Sequence, residues 1–160
     1  MKSPRTGNDH EFFVIDAPDW VNVIPLTADD HVVCVRQYRP GTDQVTLEIP
    51  GGMIDPEDAD PVAAAAREMR EETGYTATRF DDIGCIAPNP AIQSNRCYTV
   101  CACDAVRDGP QALDGAEEID VELVPLDTIP SLVAQGRITH SLVIAAFYLL
   151  EHRLSRPARR

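Results

Sequence analysis

Short runs of β-branched and aromatic residues, separated by turn-forming pairs, predict consecutive strands over Glu11–Ile15, Trp20–Pro25, His31–Tyr38 and Val45–Ile49, with Asp29-Asp30 and Pro40-Gly41 as turns. After Pro50-Gly51-Gly52 a loop follows, and then the period changes. Asp60-Pro61 supplies an N-cap and a proline at the first helical position, opening an alanine-rich helix that stops at Gly74. Val62, Ala65, Ala66 and Met69 give this helix an apolar face of mostly small side chains, which lets it lie close to a sheet. Arg79–Ala87, Arg96–Cys103 and Ile119–Val124 read as further strands. A short helix falls near Ser131–Gln135 before Gly136, and an amphipathic to apolar helix runs from about Thr139 to Leu154. Strands and helices follow one another without regular βαβ alternation, so the expected fold is α/β or α+β, a mixed sheet flanked by helices. The polar ends, about residues 1–10 and 155–160, are expected to be disordered.

A length of 160 residues with 44% hydrophobic side chains predicts one domain with a closed core. The net charge of −12 argues against a broad basic surface for nucleic acid or anionic lipid. Any anionic ligand must therefore be held locally, by a metal ion and a few arginines. The five cysteines, Cys34, Cys85, Cys97, Cys101 and Cys103, lack the paired C-x-x-C spacing of a zinc site and read as reduced core residues. Met1-Lys2-Ser3-Pro4-Arg5 leads into polar sequence rather than a signal peptide, and the longest apolar run, Leu142–Leu150, is too short to cross a bilayer. The expectation is a cytoplasmic protein without membrane or nucleic-acid partners. Trp20–Pro25 and Leu142–Leu150 are candidate faces for a homodimer.

The chemistry concentrates in Arg67-Glu68-Met69-Arg70-Glu71-Glu72-Thr73-Gly74-Tyr75. Glu68, Glu71 and Glu72 are related by i, i+3 and i+4, so their carboxylates share one arc of the helix. Like charges at this spacing repel, and a hard divalent cation would relieve the repulsion while bridging to the oxygens of an anionic substrate. Arg67 can pair with Glu71 at i+4 and so brace the acids. Arg36 and Arg39, three residues apart, have opposite strand parity, so only one of them can reach a given face. The Asn89–Arg96 loop has the polar texture of a ligand loop, which makes Arg96 a candidate contact for a distal phosphate. Asp104–Glu118, broken by Gly109-Pro110 and Gly115, is an acidic stretch able to supply a general base. Trp20 and Tyr38 are candidates for stacking on a base. The four histidines show no ligand spacing.

Gly52 followed by Arg67–Tyr75 resembles the signature of the Nudix hydrolases, whose second half, R-E-U-x-E-E-x-G-U with U apolar or aromatic, is matched at every specified position. A chance match is on the order of 10⁻⁵ for a chain of this length. The first half departs from the pattern. The family's glutamate, six positions after the glycine, falls here on Asp58, eight residues rather than seven precede Arg67, and Glu57 stands one position earlier. The box loop is thus one residue long, and Glu57 is the candidate for that outer acidic role. Val35–Arg39 and Leu47–Gly52, with the distal Glu117-Glu118-Ile119, are similar to the nucleotide-sugar and ADP-ribose subgroup, so the resemblance runs from about residue 20 to 150. The long N-terminal sheet that several members of that subgroup use to dimerise and to grip adenine has no counterpart ahead of Trp20, which weakens the substrate that the resemblance implies.

The resemblance implies a Nudix fold, a mixed sheet sandwiched between helices. It also implies hydrolysis of a nucleoside diphosphate linked to another moiety, such as ADP-ribose or a related nucleotide sugar, to a nucleoside monophosphate and a sugar phosphate. A nucleoside triphosphate substrate and a non-catalytic nucleotide sensor are the alternatives. Glu68 and Glu72 would be the leading metal ligands, with Glu71 beside them and the Gly51 carbonyl completing the set. Mg²⁺ is the expected ion, with Mn²⁺ substituting. The resemblance favours Arg39 over Arg36 and adds Glu48 as substrate-side residues, and it favours Glu117 over Glu118 as the base.

Overall fold

The computed structural model describes residues 1–115 and 117–154. Trp20–Leu26 (β1) and His31–Arg39 (β2) are joined through a tight turn at Thr27–Asp30, where the Thr27 hydroxyl accepts from the His31 amide at 3.0 Å. Gln44–Glu48 (β3) follows and pairs antiparallel with the second half of β2. Gly51–Met53 (β4) folds back antiparallel on β1, Trp20 facing Met53 and Asn22 facing Gly51. The loop expected after Gly52 therefore begins only past Met53, and Gly51-Gly52 is strand rather than turn. Two glycines carry no strand propensity of their own, and this strand exists because β1 offers it a partner.

Pro61–Thr73 (α1) is bounded as its sequence dictates. Asp60 caps it by accepting from the Ala63 amide at 2.8 Å, and Gly74, at φ 71°, closes it in the left-handed conformation, donating to the Arg70 carbonyl at 2.9 Å. Tyr75–Thr76 (β5) and Arg79–Ile86 (β6) come next, then Cys97–Cys103 (β7), Val106–Arg107 (β8) and Ile119–Pro125 (β9). A 3₁₀ turn at Leu126–Thr128 leads into Ile129–Ala134 (α2), and Ser141–Leu154 (α3) completes the described residues.

A seven-stranded mixed sheet runs β3-β2-β1-β7-β6, with β4 attached to β1 and β9 to β2. Among the strands of the described residues β1–β7 is the one parallel pairing, and β5 and β8 form a separate ribbon. The period of two along β1 sorts its side chains between the faces. Val21 and Val23 pack with Ala64, Ala65, Met69, Val100 and Ala102 beneath α1, whereas Ile24 joins Leu47, Ile49, Ile138, Val143, Ala146 and Leu150 beneath α2 and α3. The sheet is thus sandwiched between helices, and each fully buried valine or isoleucine contributes about 1.5–3 kcal/mol relative to exposure.

Two expectations fail. Glu11–Ile15 is not a strand: Phe12 and Phe13 are exposed, and only Ile15 forms an isolated bridge, with Gln93. The Trp20–Pro25 segment offered as a dimer face is a central strand whose residues Val21–Pro25 are buried, so it has no free surface to give. Residues 1–10 lie exposed apart from half-buried Ser3, which pairs with Asn8 across a small turn, and residues 155–160 lie outside the described part. The five cysteines are unpaired, and burial pushes the thiols of Cys34, Cys97 and Cys101 up to about 12. No helix among the described residues is long and apolar enough to span a membrane.

Candidate active site

The arc of α1 that carries Glu68, Glu71 and Glu72 faces a cleft of about 310 Å³, closed on other sides by Arg39, the Gly51–Met53 strand and the segment bearing Asp114 and Glu117. Each carboxylate is held differently. Glu72 is 4% exposed and accepts from the Gly51 amide at 3.0 Å. Burial pushes its carboxyl up to about 8, with the like charges of Glu68 and Glu117 adding to the shift and the Gly51 bond opposing it. Burial also raises Glu68, against the pull of Arg67. Glu71 is the most open of the three, its side chain 43% exposed.

Arg67 organises the entrance. Its Nη1 donates to Glu68 at 2.9 Å and to Glu71 at 3.1 Å, while Nε and Nη2 form a fork on Asp58 at 3.2 and 2.9 Å and Nη2 also reaches the Met53 carbonyl at 3.0 Å. The i+4 pairing of Arg67 with Glu71 read from the sequence is present. The outer acid, however, is Asp58 rather than Glu57: Glu57 is exposed, and the Arg67 hydrogen bond holds the Asp58 carboxyl below the usual range. Strict counting from Gly52 reaches Asp58, and the longer loop displaces the arginine rather than the acid.

Arg39 and Arg36 separate as their parity requires. Arg36 turns to Glu122, Nε to Oε2 at 2.6 Å, and Arg39 alone enters the cleft. Arg39 is itself gripped by Glu48 through Nε and Nη2, at 3.0 and 2.8 Å. Glu48 is 2% exposed, so it anchors the guanidinium from beneath and has no open path to a ligand. Burial raises the Glu48 carboxyl, yet the bonds from His140, Arg39 and Thr46 outweigh it and leave Glu48 far below the ordinary range. The His140 Nδ1–H donates to the ionised Glu48 at 2.8 Å. Spacing assigns His140 no role, and no local pattern points to one: its partner lies 92 residues away.

The segment carrying the candidate base is moored to the end of α1. Ala112 donates to the Glu71 carbonyl at 2.8 Å, Gln111 Nε2 reaches the carbonyls of Glu72 and Ile119 at 2.6 and 2.9 Å, and Asp108 and Gly109 donate to Gly74. Free helix-end carbonyls thus fix the loop that brings Glu117 to the cleft, while Glu118 is exposed and does not line it. Arg96 is not brought in. Its amide and carbonyl bond Asp19 and Trp20, and its exposed side chain borders neither the acidic cleft nor the neighbouring pocket around Trp20. Tyr38 points outward to Asp43 at 2.7 Å.

A hard cation suits this donor set of carboxylates, one of them deeply buried and raised first by that burial and then by neighbouring like charge. Gly52 leaves room for it: a Cβ there would stand 2.7 Å from Cδ of Glu68. Among the described residues no three His, Cys, Asp or Glu side chains are gathered tightly enough to enclose a metal, because Arg67 occupies Glu68 and Glu71 while Glu72 is turned to the Gly51 amide.

The family model of the NUDIX domain matches residues 18–147, a span that contains every element from β1 to the middle of α3. The chain belongs to the Nudix family. A solved structure described as an ADP compounds hydrolase superposes with a TM-score of 0.77 at 26% identity, over 85% of this chain and 72% of that one. An ADP-sugar pyrophosphatase of Mus musculus is 31% identical over 87% of this chain and 70% of its own length. An uncharacterized Nudix hydrolase of Schizosaccharomyces pombe is 29% identical over 66% of this chain, which spans only 51% of that protein. The Nudix assignment accounts for both the mixed sheet between helices and the glutamate-bearing helix at its edge.

Proposed function

We propose that this Nudix domain is a divalent-metal-dependent hydrolase that cleaves the phosphoanhydride of a nucleoside diphosphate joined to another moiety, ADP-ribose or a related nucleotide sugar. The products are a nucleoside monophosphate and a sugar phosphate. The observation that carries this reading is the convergence of Glu68, Glu71 and Glu72 with Glu117 and the guanidinium of Arg39 on one cleft. Relatives named for ADP sugars and ADP compounds support the substrate class.

Glu68 and Glu72, with Glu71 and the Gly51 carbonyl, would hold Mg²⁺, for which Mn²⁺ substitutes; the bound ion would neutralise nonbridging phosphate oxygens and lower the pKa of a bound water. Arg39, held in place by Glu48, adds positive charge where a phosphate enters. Glu117 accepts the proton of the attacking water as its oxygen bonds to phosphorus and the bridging P–O bond breaks. Arg67 keeps the box acids oriented by its fork on Asp58. Five unpaired cysteines support a reducing, cytoplasmic setting for a small-molecule enzyme, organised as one domain and working alone or as a homodimer.

Incubation with Mg²⁺ and a panel of ADP-ribose, nucleotide sugars, dinucleotides and nucleoside triphosphates, with products identified, tests this. Release of AMP and ribose 5-phosphate from ADP-ribose is expected. Turnover of triphosphates alone would overturn the substrate class, and binding without turnover of any compound would identify a sensor.

A further inference from the structure

Beside the acidic cleft, on the opposite side of β4, lies a second pocket of about 360 Å³, and Arg39, Gly51, Gly52 and Met53 line both. Its remaining wall is Trp20, Val21 and Asn22 of β1 with His140 and Leu142 at the start of α3. A volume near the lower end of about 300–1,000 Å³ for ligand sites suits one ring-sized group. The lining offers indole, thioether and leucine surfaces, and three polar side chains. Two of these, Arg39 and His140, direct their described side-chain bonds to Glu48. The third is Asn22, 9% exposed, whose Nδ2 is buried and meets no protein acceptor. A buried amide donor is ordinarily paired, and here the unpaired one belongs to a side chain that lines a cavity.

The geometry points to this pocket as the seat of the nucleobase, with Trp20 supplying the stacking surface and Asn22 Nδ2 the hydrogen bond to an acceptor on the ring edge. This deepens the hydrolase reading and rests on it, since the base sits here while the diphosphate passes Arg39 into the carboxylate cleft. A sugar would present several hydroxyls to a wall made largely of indole, thioether and leucine surface. A flat heteroaromatic ring needs a face to stack on and one or two in-plane partners, which Trp20 and Asn22 provide.

Trp20 is the sole tryptophan of the chain, so its fluorescence reports on the pocket directly. With a chelator present to stop turnover, AMP, adenosine and ribose 5-phosphate would be titrated against the intact chain. AMP and adenosine are expected to change the Trp20 signal and ribose 5-phosphate is not. Asn22→Ala and the same-shaped Asn22→Asp, each verified as folded by thermal unfolding, are expected to weaken AMP binding about tenfold or more. On the unsubstituted chain, AMP, GMP, CMP and UMP should differ about tenfold in affinity, a measurement that stands even where a variant does not fold. A response to ribose 5-phosphate equal to that of AMP, indifference to the base, or unchanged affinity in both folded variants would overturn the assignment. So would ADP-ribose turnover without any Trp20 response to AMP. Base-selective binding with no hydrolysis of any compound in the panel would instead leave the pocket standing and remove the hydrolase reading.

Discussion

The Cα of Gly52 lies directly against the carboxylate of Glu68, close enough that a methyl group on that carbon would stand 2.7 Å from Cδ. The glycine is therefore needed for what it leaves open, since its backbone is ordinary strand paired with Val21. Gly52→Ala is expected to push the Glu68 side chain out of the cleft while the sheet persists. Turnover should fall about tenfold or more, with the midpoint of thermal unfolding moved by only a few degrees. A variant as active as the parent would show that Glu68 need not occupy this position.

Glu48 ties β3 to β2 and α3 by accepting from Arg39, Thr46 and His140 in a buried position. Its carboxyl is held far below the ordinary value of 4.5, so the unfolded chain takes up a proton there before the folded chain does. Its contribution to stability is complete above about pH 4.5 and is lost as the pH falls toward the folded value. Glu48→Gln should cost about 2–3 kcal/mol at neutral pH, less than a fully buried pair because Arg39 is partly exposed. Denaturant titrations of both proteins at neutral and acidic pH check this, and the gap between them should shrink on acidification. Loss of the Glu48 charge should also raise KM more than it lowers kcat, because Arg39 then loses its anchor.

Glu72 has the opposite sign. Burial raises its folded pKa from 4.5 to about 8, so between those values the folded chain holds a proton that the unfolded chain has released. Stability of the metal-free protein should therefore fall as the pH rises through that window. Glu72→Gln removes the titrating group and should flatten the slope, and Mg²⁺ should stabilise the parent most at the upper end, where the carboxylate is free to bind it. Urea midpoints in a chelating buffer at about pH 5.5 and 8.5 compare the two proteins. The same variant is expected to lose at least about a hundredfold in turnover at saturating Mg²⁺; a loss of only a few-fold would remove Glu72 from the metal site.

The parts of this site that were legible in the sequence are those with local causes. Asp60-Pro61 and Gly74 set the ends of α1 through bonds within four residues, and the i, i+3, i+4 spacing placed three glutamates on one arc without reference to the rest of the chain. Parity alone separated Arg36 from Arg39. What escaped depends on partners remote in sequence. Gly51–Met53 is a strand only because β1 pairs with it, Glu48 meets His140 across 92 residues, and the mooring of Gln111 and Ala112 on α1 joins two segments that no pattern relates. Glu11–Ile15 shows the converse: β propensity without an adjacent strand leaves Phe12 and Phe13 exposed.

Glu117 and Glu118 are adjacent acids with different surroundings, which makes them a direct test of the base assignment. Glu117 lines the cleft opposite the glutamates of α1, accepts from the Asp114 amide at 3.2 Å, and lies near enough for its charge to raise both Glu68 and Glu72. Glu118 lines no part of it. A general base contributes about 10²–10⁴-fold, so Glu117→Gln should reduce kcat by at least about a hundredfold with little change in KM, whereas Glu118→Gln should stay within about twofold of the parent. Because the Glu117 charge opposes ionisation of Glu68 and Glu72, its removal should also tighten the half-saturating Mg²⁺ concentration rather than loosen it if it acts only on the proton. A higher half-saturating Mg²⁺ concentration for Glu117→Gln would instead make it a metal ligand, and equal losses in the two variants would place the base elsewhere.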